Sequence, residues 1–228
     1  WPHYSYIMKP SRSLFRGAKG YSWYQRYVEK GADAFTKHTP PTPFDWNSVS
    51  CIRPKAYFDI DIEKQRVGRI VLELANDIAP ITVQNFINLL YDNKYSYKNT
   101  KIHDIRKGMT LMGGDVEMKN GKGGHSSFEN RFFADENFII PHTARGLISM
   151  ASVGIRTNNS QFYISLSPAS HLNGRSVVFG RVVEGDEVLQ HIEEVFTFRG
   201  MPVRDVIISD CGLLENELSS TSNNSVAA

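Results

Sequence analysis

The fold of this chain is decided by the stretch Asn158-Asn159-Ser160-Gln161-Phe162-Tyr163-Ile164 and by the short apolar runs that accompany it. Residues 161–165 predict a β-strand because aromatic and β-branched residues dominate them. Other short apolar runs predict further strands at 57–62, 68–74, 146–150, 177–182 and 203–209. Helical spacing of apolar residues predicts two helices, at 80–90 and 186–194. Many short strands with two helices favour a mainly β fold, a closed antiparallel barrel capped by helices.

Composition limits the classes of function. The 228 residues suit one domain with extensions, and a formal net charge of +2 gives no general electrostatic basis for binding nucleic acid. Charged residues interrupt the longest apolar runs well before they reach the length of a membrane span. No CxxC motif or His/Cys cluster indicates a metal site, and we expect neither a metal nor a cofactor.

The sequence divides into three zones. Residues 1–50 form a basic, aromatic-rich extension, 51–214 form a dense domain, and 215–228 form a polar tail that we expect to be disordered. The extension holds all three tryptophans, Trp1, Trp23 and Trp46. A segment this short cannot bury so many rings within itself. The rings must therefore pack on the main domain, on a partner or on a membrane surface, and we favour a protein partner.

The start of the extension also has a charge bias. Between residues 1 and 30 several lysines and arginines accompany a single acid, Glu29. This bias is similar to that of the end of a mitochondrial targeting region. The pattern therefore indicates an intracellular protein of mitochondria, with the cytoplasm as the alternative.

Several specific motifs follow one another in the dense domain. They are Gly113-Gly114-Asp115, Asp135-Glu136-Asn137, Gly146-Leu147-Ile148-Ser149-Met150-Ala151, the stretch from Asn158 to Ile164, Leu172-Asn173-Gly174, Val177-Val178-Phe179-Gly180 and Asp210-Cys211-Gly212. In this order the chain resembles the cyclophilins, a family of peptidyl-prolyl isomerases. The resemblance implies a closed eight-stranded antiparallel barrel with two capping helices. It also implies a shallow groove on the barrel wall that takes an Xaa-Pro segment.

The chemistry of such a groove requires neither a metal nor a nucleophile. Rotation about a peptide bond faces a barrier of roughly 18–20 kcal/mol. A hydrogen-bond donor aimed at the twisted amide lowers this barrier, because the amide nitrogen regains its lone pair in the transition state. In cyclophilins an arginine that follows a histidine has this role, whereas here Asp104 follows His103. An ionised carboxylate cannot donate, so we expect little or no isomerase activity.

Arg106 offers one possible replacement for the missing arginine. It lies two residues beyond Asp104 on a predicted strand, so the two side chains face the same way. Its guanidinium either reaches the groove or pairs with Asp104 and solvent, and we favour the pairing.

Other positions of the groove also depart from the family pattern. By resemblance, the residues that line the substrate-binding groove are Ile102, Met109, Met112, Ala151, Ser152, Gln161, Tyr163, His171 and Leu172. Met109 and Tyr163 replace phenylalanines, and Met112 replaces a glutamine. His171 stands where many members of the family have a tryptophan, and Ser176 replaces a histidine at the edge of the groove. Gln161, Ala151 and Leu172 keep the residues of the family.

These departures lead to two hypotheses of function. The first is a protein-binding module without catalysis, an accessory subunit that residues 1–50 attach to a larger assembly. The second is a weak peptidyl-prolyl isomerase that assists protein folding. An intact scaffold with an altered groove favours the first hypothesis.

Overall fold

The structure, a computed structural model, describes residues 42–48, 52–152, 154 and 156–214. Within this part of the chain it shows eleven strands: β1 (Lys55–Ile62), β2 (Gln65–Leu74), β3 (Thr100–Lys101), β4 (Asp104–Arg106), β5 (Thr110–Gly113), β6 (Leu147–Met150), β7 (Phe162–Ser165), β8 (Val178–Glu184), β9 (Thr197–Phe198), β10 (Met201–Pro202) and β11 (Val206–Leu213). Two α-helices accompany them, α1 (Pro80–Tyr91) and α2 (Asp186–Glu193), with a 3-10 turn at Ser170–Leu172. The predicted mainly β class with two helices is confirmed.

The strands form an open, curled sheet rather than a closed barrel. Nine of the described strands make one antiparallel sheet in the order β3-β11-β1-β2-β8-β6-β7-β5-β4, and no ladder joins β3 to β4. The prediction of a closed eight-stranded barrel is therefore wrong in strand number and in closure. The cause lies between these two edge strands, where the chain changes partner. The Ile102 N–H donates to the carbonyl of Val206 (2.9 Å), and the next N–H, of His103, donates to the carbonyl of Met112 (2.9 Å).

The predicted strand at 203–209 begins too early. In the structure β11 starts at Val206. Val203 belongs instead to a separate hairpin of β9 and β10, in which its N–H donates to the carbonyl of Phe196 (2.9 Å). Arg204 and Asp205 separate Val203 from the apolar residues of β11, and the two sides of this charged pair bond to different parts of the chain.

Helix α1 is anchored by the Asp135-Glu136-Asn137 motif. Pro80 occupies the first turn, and no side chain of the preceding residue caps the helix. Instead the Glu136 carboxylate accepts bonds from the N–H groups of Ile81 (3.0 Å) and Thr82 (2.9 Å). A carboxylate at a helix N-terminus satisfies unpaired N–H donors and interacts favourably with the helix dipole. The motif therefore serves the scaffold.

A cluster of aromatic rings forms the centre of the core. Its members are Phe58, Phe86, Tyr97, Phe162 and Phe179. Each is almost completely buried. The Tyr97 hydroxyl donates to the carbonyl of Ser160 (2.9 Å), which satisfies the one polar group in the cluster. This bond ties the core to the stretch that leads into β7.

Two rings that the sequence places in the extension pack on the domain. Phe44 and Trp46 lie against a small apolar cluster around Ile140, and the two rings meet edge to face at 5.3 Å. The Arg53 guanidinium lies over both rings. It also donates two hydrogen bonds of 2.8 Å to the Asp77 carboxylate, one to each oxygen. This part of the extension therefore belongs to the compact unit that begins at Thr42. The predictions for residues 1–41, including Trp1 and Trp23, and for 215–228 lie outside the described residues.

Candidate functional site

A shallow depression of about 280 Å³ is lined by residues of β4, β5, β7 and the 3-10 turn. Asp104 lies opposite Met112 in the sheet, and Met112 lies opposite Tyr163. Paired residues on neighbouring strands present their side chains on the same face, so these three meet in the depression. The other lining residues are Arg106, Met109, Thr110, His171 and Leu172. We call this the first depression.

Asp104 and Arg106 form an ion pair at its wall. Arg106 donates from Nε to Oδ1 of Asp104 (3.0 Å) and from Nη2 to Oδ2 (3.3 Å). The Asp104 side chain is 23% exposed and the Arg106 side chain 59%. Of the two arrangements that the sequence allows, the structure has the paired one, although Arg106 still contributes to the lining.

The turn between β9 and β10 supports Asp104 from the side. A Cβ atom on Gly200 would lie 2.6 Å from Oδ2 of Asp104, so a larger residue at this turn would displace the carboxylate. The Gly200 carbonyl also accepts a bond from the N–H of Ile105 (2.7 Å). The carboxylate is thus positioned by its own strand and by the hairpin.

Tyr163 brings a hydroxyl to the first depression. Burial raises the pKa of this hydroxyl above its ordinary value, the Asp104 carboxylate raises it further, and Arg106 acts in the opposite direction. Tyr163 is therefore protonated at neutral pH. The first depression therefore offers a ligand two polar features, the Asp104–Arg106 ion pair and the neutral Tyr163 hydroxyl.

A second depression of about 360 Å³ adjoins the first. Met112 lines both, so the two lie side by side, and we call them together the groove. The second is lined further by Gly121, Lys122, Gly123, Arg131, Phe132, Ala151, Ser152, Thr157, Asn159 and Gln161. Arg131 pairs with Glu117 (2.7 Å), and its guanidinium lies over the ring of Phe132.

A buried aspartate organises the loop beside the second depression. Asp115 is fully buried, and its oxygens accept bonds from the N–H groups of Glu117, Met118, Asn120, Gly121 and Gly123. Burial by itself would raise the pKa of this carboxyl, but the backbone donors lower it below the ordinary value. The carboxylate is therefore ionised and fixes the loop from residue 117 to 123.

Gln161 connects that loop to the sheet. Its Nε2 donates to the carbonyls of Gly121 (3.2 Å) and Gly123 (2.8 Å), and the residue is nearly buried. Its Oε1 has no hydrogen-bond partner among the described residues. Through these two hydrogen bonds Gln161 links the loop to the start of β7.

Comparison with known proteins agrees with this geometry. Residues 57–213 match the family model described as "Cyclophilin type peptidyl-prolyl cis-trans isomerase/CLD". The chain belongs to the cyclophilin family. It is also 42% identical over 177 residues to the NK-tumor recognition protein of Mus musculus, and 42% identical over 172 residues to the protein of that name in Homo sapiens. The matches cover 73% and 71% of this chain but only 12% of each relative.

The groove of this cyclophilin brings together most of the residues that the sequence indicates. Asp104, Arg106, Met109, Met112, Tyr163, His171 and Leu172 line the first depression, and Ala151, Ser152, Gln161 and again Met112 line the second. Ile102 is the exception, because it is buried in the core, where its Cδ1 lies close to Gly113. Ser176 is buried and lines neither depression.

Seven residues that line the second depression were missed from the sequence. Two of them, Thr157 and Asn159, lie just before β7. The other five lie in the long segment between β5 and β6, which has no periodic pattern, and they are Gly121, Lys122, Gly123, Arg131 and Phe132. Bonds to Asp115 and Gln161 hold this segment at the groove, together with bonds to Asn85, Asn158 and Ser160. No local sequence signal indicates such contacts.

The described residues contain no group of three or more His, Cys, Asp or Glu side chains arranged to hold a metal ion. Within the same part of the chain, no helix is long and apolar enough to cross a membrane.

Proposed function

We propose that this cyclophilin binds proline-containing segments of protein without efficient isomerisation, as an accessory subunit of a larger assembly. The observation that carries the proposal is the paired state of Arg106 and Asp104 at the wall of the first depression. A catalytic donor must be free to strengthen its bond as the transition state forms. A guanidinium that already bonds to a carboxylate has lost part of this capacity.

The charge of Asp104 acts in the same direction. The twisted amide gains electron density at its nitrogen, and an ionised carboxylate beside it repels that density. Removing one preorganised donor typically costs about a hundredfold in rate. We therefore expect an isomerase rate at least about a hundredfold below that of a cyclophilin that has the arginine.

Binding does not require the missing donor. Met109, Met112 and Leu172 give the first depression apolar walls, and burying apolar area gives roughly 25 cal/mol for each Å² removed from water. Methionine side chains also adapt to different shapes. The groove is therefore suited to hold a proline ring and its neighbours.

A protease-coupled isomerisation assay on Xaa-Pro peptides tests the proposal. We expect almost no turnover by the wild type, while NMR titration with acetyl-Ala-Gly-Pro-Ala-amide shifts the signals of Tyr163 and Ala151. Asp104→Arg should raise turnover. Asp92→Arg makes the same charge change at a residue that lines neither depression, and should leave turnover low. Wild-type turnover equal to that of an ordinary cyclophilin would overturn the proposal.

A second candidate function is weak isomerisation that assists protein folding. It is favoured by one observation, that Arg106 lines the first depression even while its guanidinium is paired with Asp104. If Arg106 supplies the donor, Arg106→Ala removes the residual turnover, whereas Asp104→Ala frees the guanidinium and increases it. Equal residual turnover in both variants would argue against this candidate.

We further propose that the extension attaches the protein to its partner. Because Phe44, Trp46 and Arg53 stabilise the domain itself, the deletion that tests this should remove only residues 1–41. Co-purified proteins that are lost in the deletion and kept in a groove variant would support attachment through the extension. The proposed location is the mitochondrion, with the cytoplasm as the alternative, and microscopy of a fluorescent fusion distinguishes the two.

A further inference from the structure

The hairpin of β9 and β10 has an exposed apolar face. Phe198 pairs with Met201 in the ladder, and Phe196 lies opposite Val203 through a backbone bond of 2.9 Å. Side chains of paired residues and of residues two apart share one face of a hairpin. These four side chains therefore form a single surface, and they are between 58% and 73% exposed.

The hairpin is a defined structure rather than a loose loop. Arg199 and Gly200 at its tip both have positive φ, 52° and 87°, as the tight turns of two-residue hairpins require. The bond from the Ile105 N–H to the Gly200 carbonyl holds the tip on β4. Four large apolar side chains held outward on a fixed hairpin cost free energy in water, so a surface of this kind indicates a contact with another molecule.

The tip of the hairpin adjoins the groove. Asp104 lines the first depression and also lies against Gly200, with no room for a side chain between them. A segment bound in the first depression that continues past Asp104 therefore reaches the hairpin tip, where Phe198 and Met201 are the paired residues beside the turn. This proximity indicates that one ligand contacts both surfaces.

The charge at the hairpin tip indicates the chemistry of that ligand. Arg199 is exposed, lies over the ring of Phe198 (5.5 Å), and forms no ion pair with the described residues. It favours an acidic side chain on the ligand. The first thirty residues of this chain carry mainly basic charge, so they are a poor match for this surface.

We propose that the hairpin extends the groove, and that it binds apolar and acidic residues that neighbour the proline of a partner protein's segment. The inference rests on the proposed binding function and names the kind of segment bound. The hairpin supplies apolar contact area, Arg199 supplies a charge, and the first depression holds the proline.

Calorimetry with synthetic peptides and the full chain tests the inference. The probes are acetyl-Ala-Gly-Pro-Ala-amide and two longer peptides in which Leu-Glu-Leu-Asp-Leu precedes or follows the same unit. We expect one of the longer peptides to bind at least tenfold more tightly than the short one. The double variant Phe198→Ser/Met201→Ser should lose this gain and keep the affinity for the short peptide. Arg199→Gln should lose part of the gain, and only with the acidic peptide, not with its Gln/Asn analogue.

Ile139→Ser is the matched control, because Ile139 is 60% exposed and lines neither depression. It should keep the full gain. A gain that survives in the double variant, or no gain in the wild type, would overturn the hairpin proposal while binding of the short peptide still supports the groove. Failure of the short peptide to bind would overturn the proposed groove function itself. A wild-type dimer that the double variant dissociates would assign the face to self-association instead.

Discussion

The two sides of the groove are built in opposite ways around two aspartates. Asp115 is fully buried and bonds to the backbone of its own loop. Asp104 is partly exposed and bonds to a side chain, Arg106, that is mostly in solvent. Asp115 holds the backbone of a loop, whereas Asp104 places a carboxylate in the lining of the first depression. We therefore expect the fold to depend on Asp115 more than on Asp104.

The largest expected effect is that of Asp115→Asn. The amide replaces one acceptor oxygen by donors, which leaves buried N–H groups of the loop unpaired, and we expect a loss of about 3 kcal/mol or more in the free energy of unfolding. Urea denaturation measures it. Asp92→Asn is the control, because Asp92 also accepts two backbone N–H bonds but is only partly buried. Equal losses of stability in the two variants would contradict a special role of the buried Asp115 carboxylate in the fold.

Gln161→Leu should have the next largest effect. The leucine keeps most of the volume but leaves the carbonyls of Gly121 and Gly123 without their donor, which costs about 1–3 kcal/mol. Hydrogen exchange should quicken at Gly121 and Gly123 and stay slow in the core strands. Unchanged exchange in the loop would show that Gln161 does not hold it.

A smaller effect is expected from pH, through His103, whose ring packs on Gly121 next to Asp104. Burial lowers the pKa of His103 below its ordinary value, and the Asp115 carboxylate opposes this only in part. The unfolded chain then binds the proton more readily, so stability should fall as the pH drops through roughly 6.5. His103→Gln should reduce the difference between urea midpoints at pH 7.5 and 5.5.

His142 provides a parallel test, because burial lowers its pKa as well. His142→Gln should reduce the same difference in urea midpoints. If neither variant alters the pH dependence, the buried histidines do not contribute to it.

The smallest effect on stability is expected at the altered wall. Asp104→Ala and Arg106→Ala should each cost less than about 1 kcal/mol, because exposed ion pairs contribute little. Their effect should appear instead in peptide binding and turnover. A loss as large as that of Asp115→Asn would mean that the altered wall also supports the fold.

Much of the fold could be predicted from local patterns. The periodicity of residues 57–62 and 80–90 is a property of single elements, so β1 and α1 appeared where they were expected. The short strands β3, β9 and β10 were not predicted, because two residues carry no period. The closure of the sheet was predicted wrongly, since it depends on where one stretch changes its partner.

The sequence by itself indicated the family scaffold, most of the residues that line the first depression and the aspartate at position 104, because these follow from residue identity and order. The tertiary structure decided between the two arrangements of Arg106, in favour of the bond to Asp104. It alone showed that Asp115 holds the loop beside the second depression and that the hairpin tip adjoins the groove. Each of these depends on contacts between segments that are distant in sequence or on which of several rotamers a side chain takes. Local sequence patterns do not settle such choices, because packing and hydrogen-bond satisfaction of the whole domain select them.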